Sequence, residues 1–281
     1  MKKRLFSFGK SFLQHELVSN SFFLFVGSTF ANFLAFLFNL FLARVFTSAD
    51  YGIFASLTSL VTLWAIPSQF LTTVITKFAT GYLSKNEIPK AAKLYKNSFS
   101  LLTFTGFLIV VFFILCQKYL AGFLHVQNVF FILLSGITAG SIYIGVVNTS
   151  YLQSLLKFRY MALGLILSNF AKLLTGIVLI LIGFKVVGGL YAVLISYITL
   201  IVFYFIPLRH IAFTKTKSIS ISISEIIRFA LPTILTVFAL SSFTTTDIIL
   251  VKHFFSPQQA GLYAGVSLIG RVIFYFTSPV P

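Results

Sequence analysis

The sequence predicts an all-α, polytopic membrane protein: a first six-helix lobe and the first two helices of a second. Three observations carry this. Of 281 residues, 58% are hydrophobic and 9% charged, and the mean hydropathy is +1.00. A soluble domain has about 25% charged residues. The basic residues lie between apolar runs long enough to span a bilayer. One stretch also occurs twice. Phe46 to Leu60 reads FTSADYGIFASLTSL and Phe255 to Ile269 reads FSPQQAGLYAGVSLI, at a constant offset of 209 residues. Gly52 then falls on Gly261, Ala55 on Ala264, Thr58 on Ser267 and Thr62 on Arg271.

Residues 1–19 carry Lys2, Lys3, Arg4 and Lys10 among Leu5, Phe6, Phe8, Phe12 and Leu13. That mixture predicts a basic amphipathic segment lying on the inner membrane surface. The apolar run from Phe22 to Val45 exceeds the 7–15 residues of a signal-peptide core and lacks a small-residue cleavage site, so it reads as a retained span. Eight spans are expected: 21–45, 52–76, 98–119, 128–152, 162–184, 187–208, 227–252 and 259–281. The division is then 1–19, a six-helix lobe over 20–208, an inter-lobe loop at 209–226, and the start of a second lobe at 227–281. Six spans per lobe at an offset of 209 would end near residue 420, so a truncated form of a longer protein is expected.

Charge orients the chain. With the N-terminus inside, inner segments hold Lys2, Lys3, Arg4, Lys10, Lys77, Lys85, Lys90, Lys93, Lys96, Lys157, Arg159, Arg209, Lys215, Lys217 and Arg228. Outer turns hold Arg44, Lys118, Lys185 and Lys252. This bias, the positive-inside rule, explains the net charge of +16 better than nucleic-acid binding does. Outer turns are expected to be short and inner ones longer, with Lys77 to Asn97 a surface helix. Ser222-Ile223-Ser224-Glu225 fits a capping box opening the seventh span. Pro67 and Pro232 lie within spans, where a freed carbonyl is tolerable beside a cavity.

Two cations are left inside spans. Lys172 lies midway along the fifth, where a cation costs about 2.5–3.5 kcal/mol on insertion scales. It shares a stripe with Ser168, Asn169, Thr175 and Gly176 at helical spacing, so a wet cavity is expected to receive it. Arg271 lies about a dozen residues into the eighth span, and pairing with Asp247 is its alternative. Asp247, the one acid within a span, could hold a coupling H⁺ or Na⁺ or neutralise Arg271. Ser28, Asn32 and Asn39 form a polar stripe on span one, and Thr62, Gln69, Thr73 and Thr76 another on span two. Such stripes line cavities or glue helices together.

Other patterns exclude more than they suggest. Gly9-Lys10-Ser11 lacks the first glycine of a P-loop, and no Gly-rich nucleotide loop or other cofactor motif occurs. His15, His125, His210 and His253 lack metal-ligand spacing. Asn148-Thr149-Ser150 is a glycosylation triplet at the inner end of span four, where no glycan is added. Cys116 is single, which excludes an internal disulfide. Acids outside the spans are Glu16, Asp50, Glu87 and Glu225, too few for a membrane glycosyltransferase or ligase.

The stretch Leu42-Ala43-Arg44-Val45-Phe46-Thr47-Ser48-Ala49-Asp50-Tyr51-Gly52-Ile53-Phe54, with Asp247 through Arg271, resembles the polysaccharide transporters. These are the O-antigen and capsule flippases, in the superfamily that also holds multidrug and toxin extruders and lipid II flippases. The resemblance implies two six-helix lobes around a central cationic cavity in the bacterial cytoplasmic membrane. It implies a cargo of polyprenyl-diphosphate-linked oligosaccharide, moved outward by alternating access, with polysaccharide polymerase or assembly proteins as further partners. Lys172, Arg271, Asn32, Asn39, Gln69 and Asn169 are the expected cavity residues, and Asp247 the coupling or charge-partner residue. A drug or cation antiporter and a non-transporting assembly subunit are the alternatives.

Overall fold

The computed structural model describes residues 2–214 and 246–277, with side chains over 21–214, 246–267 and 269–270. Apart from short turns these residues are helical. The helices are α1 (Lys2–Val45), α2 (Ser48–Ser84), α3 (Ile88–Phe123), α4 (Val129–Ser154), α5 (Phe158–Leu179), α6 (Lys185–Phe205), a short α7 (Arg209–Phe213), α8 (246–254) and α9 (Pro257–Thr277). Five stretches are long and apolar enough to cross a membrane; one of them, Phe158–Phe213, holds both α5 and α6. The chain turns between those two through a wide helical turn, Ile180–Phe184. Gly183 takes φ 106 there and Lys185 φ 42. Glycine adopts such a conformation without the clash an L side chain meets. The turn therefore divides the stretch into two antiparallel spans, and the described residues give six in the first lobe.

The helix ends differ from expectation. Residues 2–19 continue into the first span, since α1 runs unbroken from Lys2 to Val45. Lys77 to Asn97 is no surface helix. Its first half ends α2 and its second half begins α3, so these helices run several turns past their apolar cores. The turns between α2 and α3 and between α4 and α5 are consequently three residues each, between the two of the α1–α2 turn and the five of the α3–α4 turn at the opposite end. The Ser222 capping box and Pro232 lie outside the described residues.

Packing is organised on α4, which touches α2, α3 and α6, while α5 joins α1 to α6. Glycine explains how closely α3 and α4 pack. A Cβ on Gly106 would stand 2.5 Å from Gly140 O, and one on Gly140 would stand 2.6 Å from Gly106 O. Small residues let backbones approach this closely where no water drives association. Polar side chains fix the register. Tyr95 donates to Asn148 Oδ1 at 2.7 Å, and Asn148 Nδ2 donates to Ile201 O at 3.2 Å, tying α3, α4 and α6. Asn148 is fully buried, its amide group taken up by these two bonds. Asn148→Leu orphans the Tyr95 hydroxyl, and thermal unfolding should report a loss of about 1–3 kcal/mol.

Between α2 and α4, Ser150 donates to Thr72 O at 3.3 Å, and Thr76 donates to Gln153 Oε1 at 3.2 Å. Thr76 thus serves helix packing rather than a cavity. Pro67 removes the N–H that Leu63 O would accept. One residue on, Trp64 O receives the Tyr143 hydroxyl of α4 at 2.8 Å. The α4–α5 turn carries strain. Leu156 sits at φ 54, where a Cβ costs roughly 1–2 kcal/mol. Leu156→Gly relieves this at some cost in chain entropy, and thermal unfolding should show a net gain of about 0.5–1 kcal/mol.

The two copies of the sequence repeat meet each other. Thr47 caps α2, accepting from Asp50 N at 3.2 Å and donating to Asp50 Oδ2 at 2.8 Å. At the equivalent positions, Ser256 accepts from Gln259 N at 3.3 Å and donates to Gln259 Oε1 at 3.0 Å. Ser256 N also donates to Gln259 Oε1 at 3.2 Å, which completes a capping box there, and both N-caps fix where α2 and α9 begin. Just inside, the helices cross in contact. A Cβ on Gly52 would lie 2.9 Å from Gly261 N and 3.2 Å from Pro257 O. A Cβ on Gly261 would overlap the Ser48 carbonyl. Ser48 corresponds to Pro257 and Gly52 to Gly261, so the contact is reciprocal, as a local two-fold requires.

Candidate functional site

Directly beneath this crossing lies a cavity of about 230 Å³, lined by α1, α2, α5, α6, α8 and α9. Its wall shows why repeat positions matter. Ala55 and Thr58 of the first copy face it, and so do their equivalents Ala264 and Ser267. Asn39, Ser59 and Thr62 add polar atoms. Lys172 reaches it from α5, with its Nζ 5.5 Å from the centre of the Phe38 ring. Gly176, one turn on, makes room for that ring, since a Cβ there would press into Phe38. Among the described residues Lys172 has no ion pair and no hydrogen bond, and no Asp or Glu lines the cavity.

A second cavity, about 220 Å³, opens between α5 and α6 and shares Lys172 and Val193 with the first. It adds Leu165, Ser168, Asn169, Ser196, Tyr197 and Leu200. A third, about 120 Å³, lies between α2, α4 and α6 and shares Tyr197 and Leu200 with the second. Ser68, Thr72, Ser141 and Thr149 line it. The three form a series whose polar lining is mostly neutral hydroxyls, with one cation where the first two adjoin.

The structure sorts the expected site residues. Lys172, Asn39 and Asn169 line cavities, as does Thr62. Asn39 and Asn169 each donate to a carbonyl one turn earlier, Ala35 O and Leu165 O. Asn32 is half-buried on α1 and lines none of the three cavities. Gln69 is exposed on α2, two turns beyond Thr62, and likewise lines none of them. Asp247 receives the Tyr263 hydroxyl of α9 at 3.0 Å. Arg271 belongs to α9, one turn after Ser267, and its side chain lies outside the described residues.

Sequence reasoning missed Ser196 and Tyr197, because span six reads as continuously apolar around them. It also misjudged Lys252, expected in an outer turn. Lys252 is 1% exposed at the end of α8. Its neighbour His253 explains the docking: the ring stacks on Phe123 with centroids 4.0 Å apart, and Nδ1 lies 2.9 Å from Phe123 O. That contact pulls the end of α8 onto the α3–α4 turn.

Comparison with known proteins places this geometry. The family model described as polysaccharide biosynthesis protein matches residues 17–280. None of the curated proteins matches the sequence. Among solved structures, an inward-facing multidrug resistance transporter of the MATE family, in the MOP superfamily, superposes with a TM-score of 0.67 at 15% identity. It covers 91% of this chain and 60% of its own. A MATE protein in complex with Br-NRF gives 0.61 at 14% identity, covering 94% of this chain and 71% of its own. A MOP-superfamily transporter from Pyrococcus furiosus Vc1 (DSM3638) gives 0.58 at 15% identity, covering 92% and 67%. It is described as having a binding pocket of reverse polarity that suggests a different function. This chain thus spans about 60% of the length of the first of these structures.

Proposed function

The chain belongs to the polysaccharide biosynthesis protein family, and on that premise we propose that it binds and translocates a lipid-diphosphate-linked oligosaccharide. Membership, the apolar helices and a fold shared with MOP-superfamily transporters support membrane transport as its role. The cargo rests on one observation: the cavity under the α2–α9 crossing holds Lys172 and no described carboxylate. A diphosphate needs a cation in a site screened from bulk water, where charge-assisted hydrogen bonds are strong. Its polyprenyl chain can remain in the bilayer beside the cleft. Arg271, one turn below the cavity-lining Ser267 on α9, is proposed as a second cation for the same head group. The close α2–α9 contact would close the end that the charge bias assigns to the outside, and the head group would enter from the inner leaflet. Asp247 is proposed to hold the coupling H⁺ or Na⁺, with the Tyr263 hydroxyl steadying its carboxylate.

Drug extrusion is the competing reading, because two of the similar structures are MATE proteins. An organic cation would need a carboxylate where Lys172 stands. Displacement of a fluorescent polyprenyl diphosphate from the protein in lipid nanodiscs separates the two. Unlabelled polyprenyl diphosphate should compete and tetraphenylphosphonium should not. The reverse order overturns the proposal.

A further inference from the structure

We infer that the pocket between α5 and α6 is a carbohydrate subsite, and that Tyr197 is its specificity-determining residue. This rests on the proposed diphosphate site at Lys172. Three observations lead to it. The pocket borders the head-group cavity at Lys172 and Val193, so a group bonded to a phosphate held at Lys172 would lie beside it. Its lining is that of a sugar site rather than a lipid groove. Ser168, Asn169, Ser196 and Tyr197 offer neutral donors and acceptors, which suit the many hydroxyls of an uncharged ring. An acyl chain would give the Tyr197 hydroxyl no partner and leave the remaining acceptor capacity of Ser168 and Asn169 unused. The volume, about 220 Å³, lies below the roughly 300–1,000 Å³ of drug-sized pockets and suits one sugar ring.

Tyr197 stands apart within this lining. It borders both this pocket and the next one along, beside Ser68 and Thr72. Its hydroxyl makes no hydrogen bond among the described residues, whereas the Ser168 hydroxyl and the Asn169 amide each donate to Leu165 O. A partly buried phenol with a free hydroxyl and an apolar ring face suits a sugar's two aspects, its hydroxyls and its C–H face. The third pocket then continues the path for further residues of the chain.

The test uses the full chain in lipid nanodiscs. Competitors are bare polyprenyl diphosphate and the same lipid carrying one glucose, galactose, N-acetylglucosamine or N-acetylgalactosamine. At least one glycosylated form should bind fivefold or more tightly than the bare lipid. Tyr197→Ala should abolish that preference while leaving affinity for the bare lipid within about twofold, which also shows that the variant folds. Tyr197→Phe, keeping the ring, should retain part of it. The inference is overturned if no sugar is preferred, or if the preference survives Tyr197→Ala. Failure of the underlying reading looks different: the bare lipid would then not bind, or would bind equally well to Lys172→Gln.

Discussion

Lys172→Gln is expected to weaken binding of polyprenyl diphosphate by roughly 10- to 100-fold, while leaving the protein at least as stable. The first half follows from the loss of a charge-assisted hydrogen bond in a partly desolvated site, worth about 1.5–3 kcal/mol, with each 1.4 kcal/mol a factor of ten. The second half follows from the absence of any ion pair or hydrogen bond to Lys172 among the described residues. A structural lysine would be held by an acid or a carbonyl, and removing it would cost both binding and melting temperature. A lysine kept for a ligand sits in the empty protein as an uncompensated cation at membrane depth, so neutralising it removes an unfavourable term. Lys172→Arg should preserve most of the affinity. Displacement titration and thermal unfolding on the same three samples check this; equal affinity for Lys172→Gln and the parent would remove the anionic cargo from consideration.

The second large effect is at Gly261. Gly261→Val should open the α2–α9 crossing, because the new side chain meets the Ser48 carbonyl, which is backbone and cannot rotate away. Overpacking of this kind costs about 1–3 kcal/mol. Here the cheapest relief is separation of the two helices rather than unfolding of either. Ser267→Cys, in a background with Cys116→Ala, reports the result. Its labelling by a membrane-impermeant maleimide added to the face bearing the α8–α9 turn should rise several-fold when Gly261→Val is added. Gly265 supplies the control. It lies one turn further along α9, and a Cβ there meets nothing within 4 Å. Gly265→Ala should leave labelling unchanged and improve helix stability by up to about 1 kcal/mol. Equal labelling in both variants would show that the glycine contact does not close the cavity.

These two residues also show what was legible beforehand. Lys172 was readable because a cation in the middle of an apolar run has few tolerable fates, and its neighbours at three and four residues bore polar groups. Gly261 was readable only as one term of a repeat. Nothing in the string says that Gly52 and Gly261 touch, since contact across 209 residues is decided by how α2 and α9 cross. Tyr197 was not legible at all. An aromatic among Ile195, Ile198 and Leu200 reads as lipid-facing or core, and only its position between two cavities distinguishes it. The helix ends were misread for a related reason. Lys77 to Asn97 is polar enough to resemble a surface segment, yet α2 and α3 pack along that length, through buried Ala79, Ala91 and Ala92, and continue as helix.

By itself the sequence determined the solvent, the number of crossings in the first lobe and the sidedness that its charges favour. Each depends on quantities summed along the chain, namely apolar length and the placement of lysine and arginine, and a bilayer acts on those sums directly. The tertiary structure alone decided which polar residues share a space: Asn39 and Thr62 with Lys172, but not Asn32 or Gln69. Helical spacing fixes a residue's direction on its own helix, whereas the rotation of that helix against its neighbours is set by packing, here by glycine crossings that leave a backbone one closest approach.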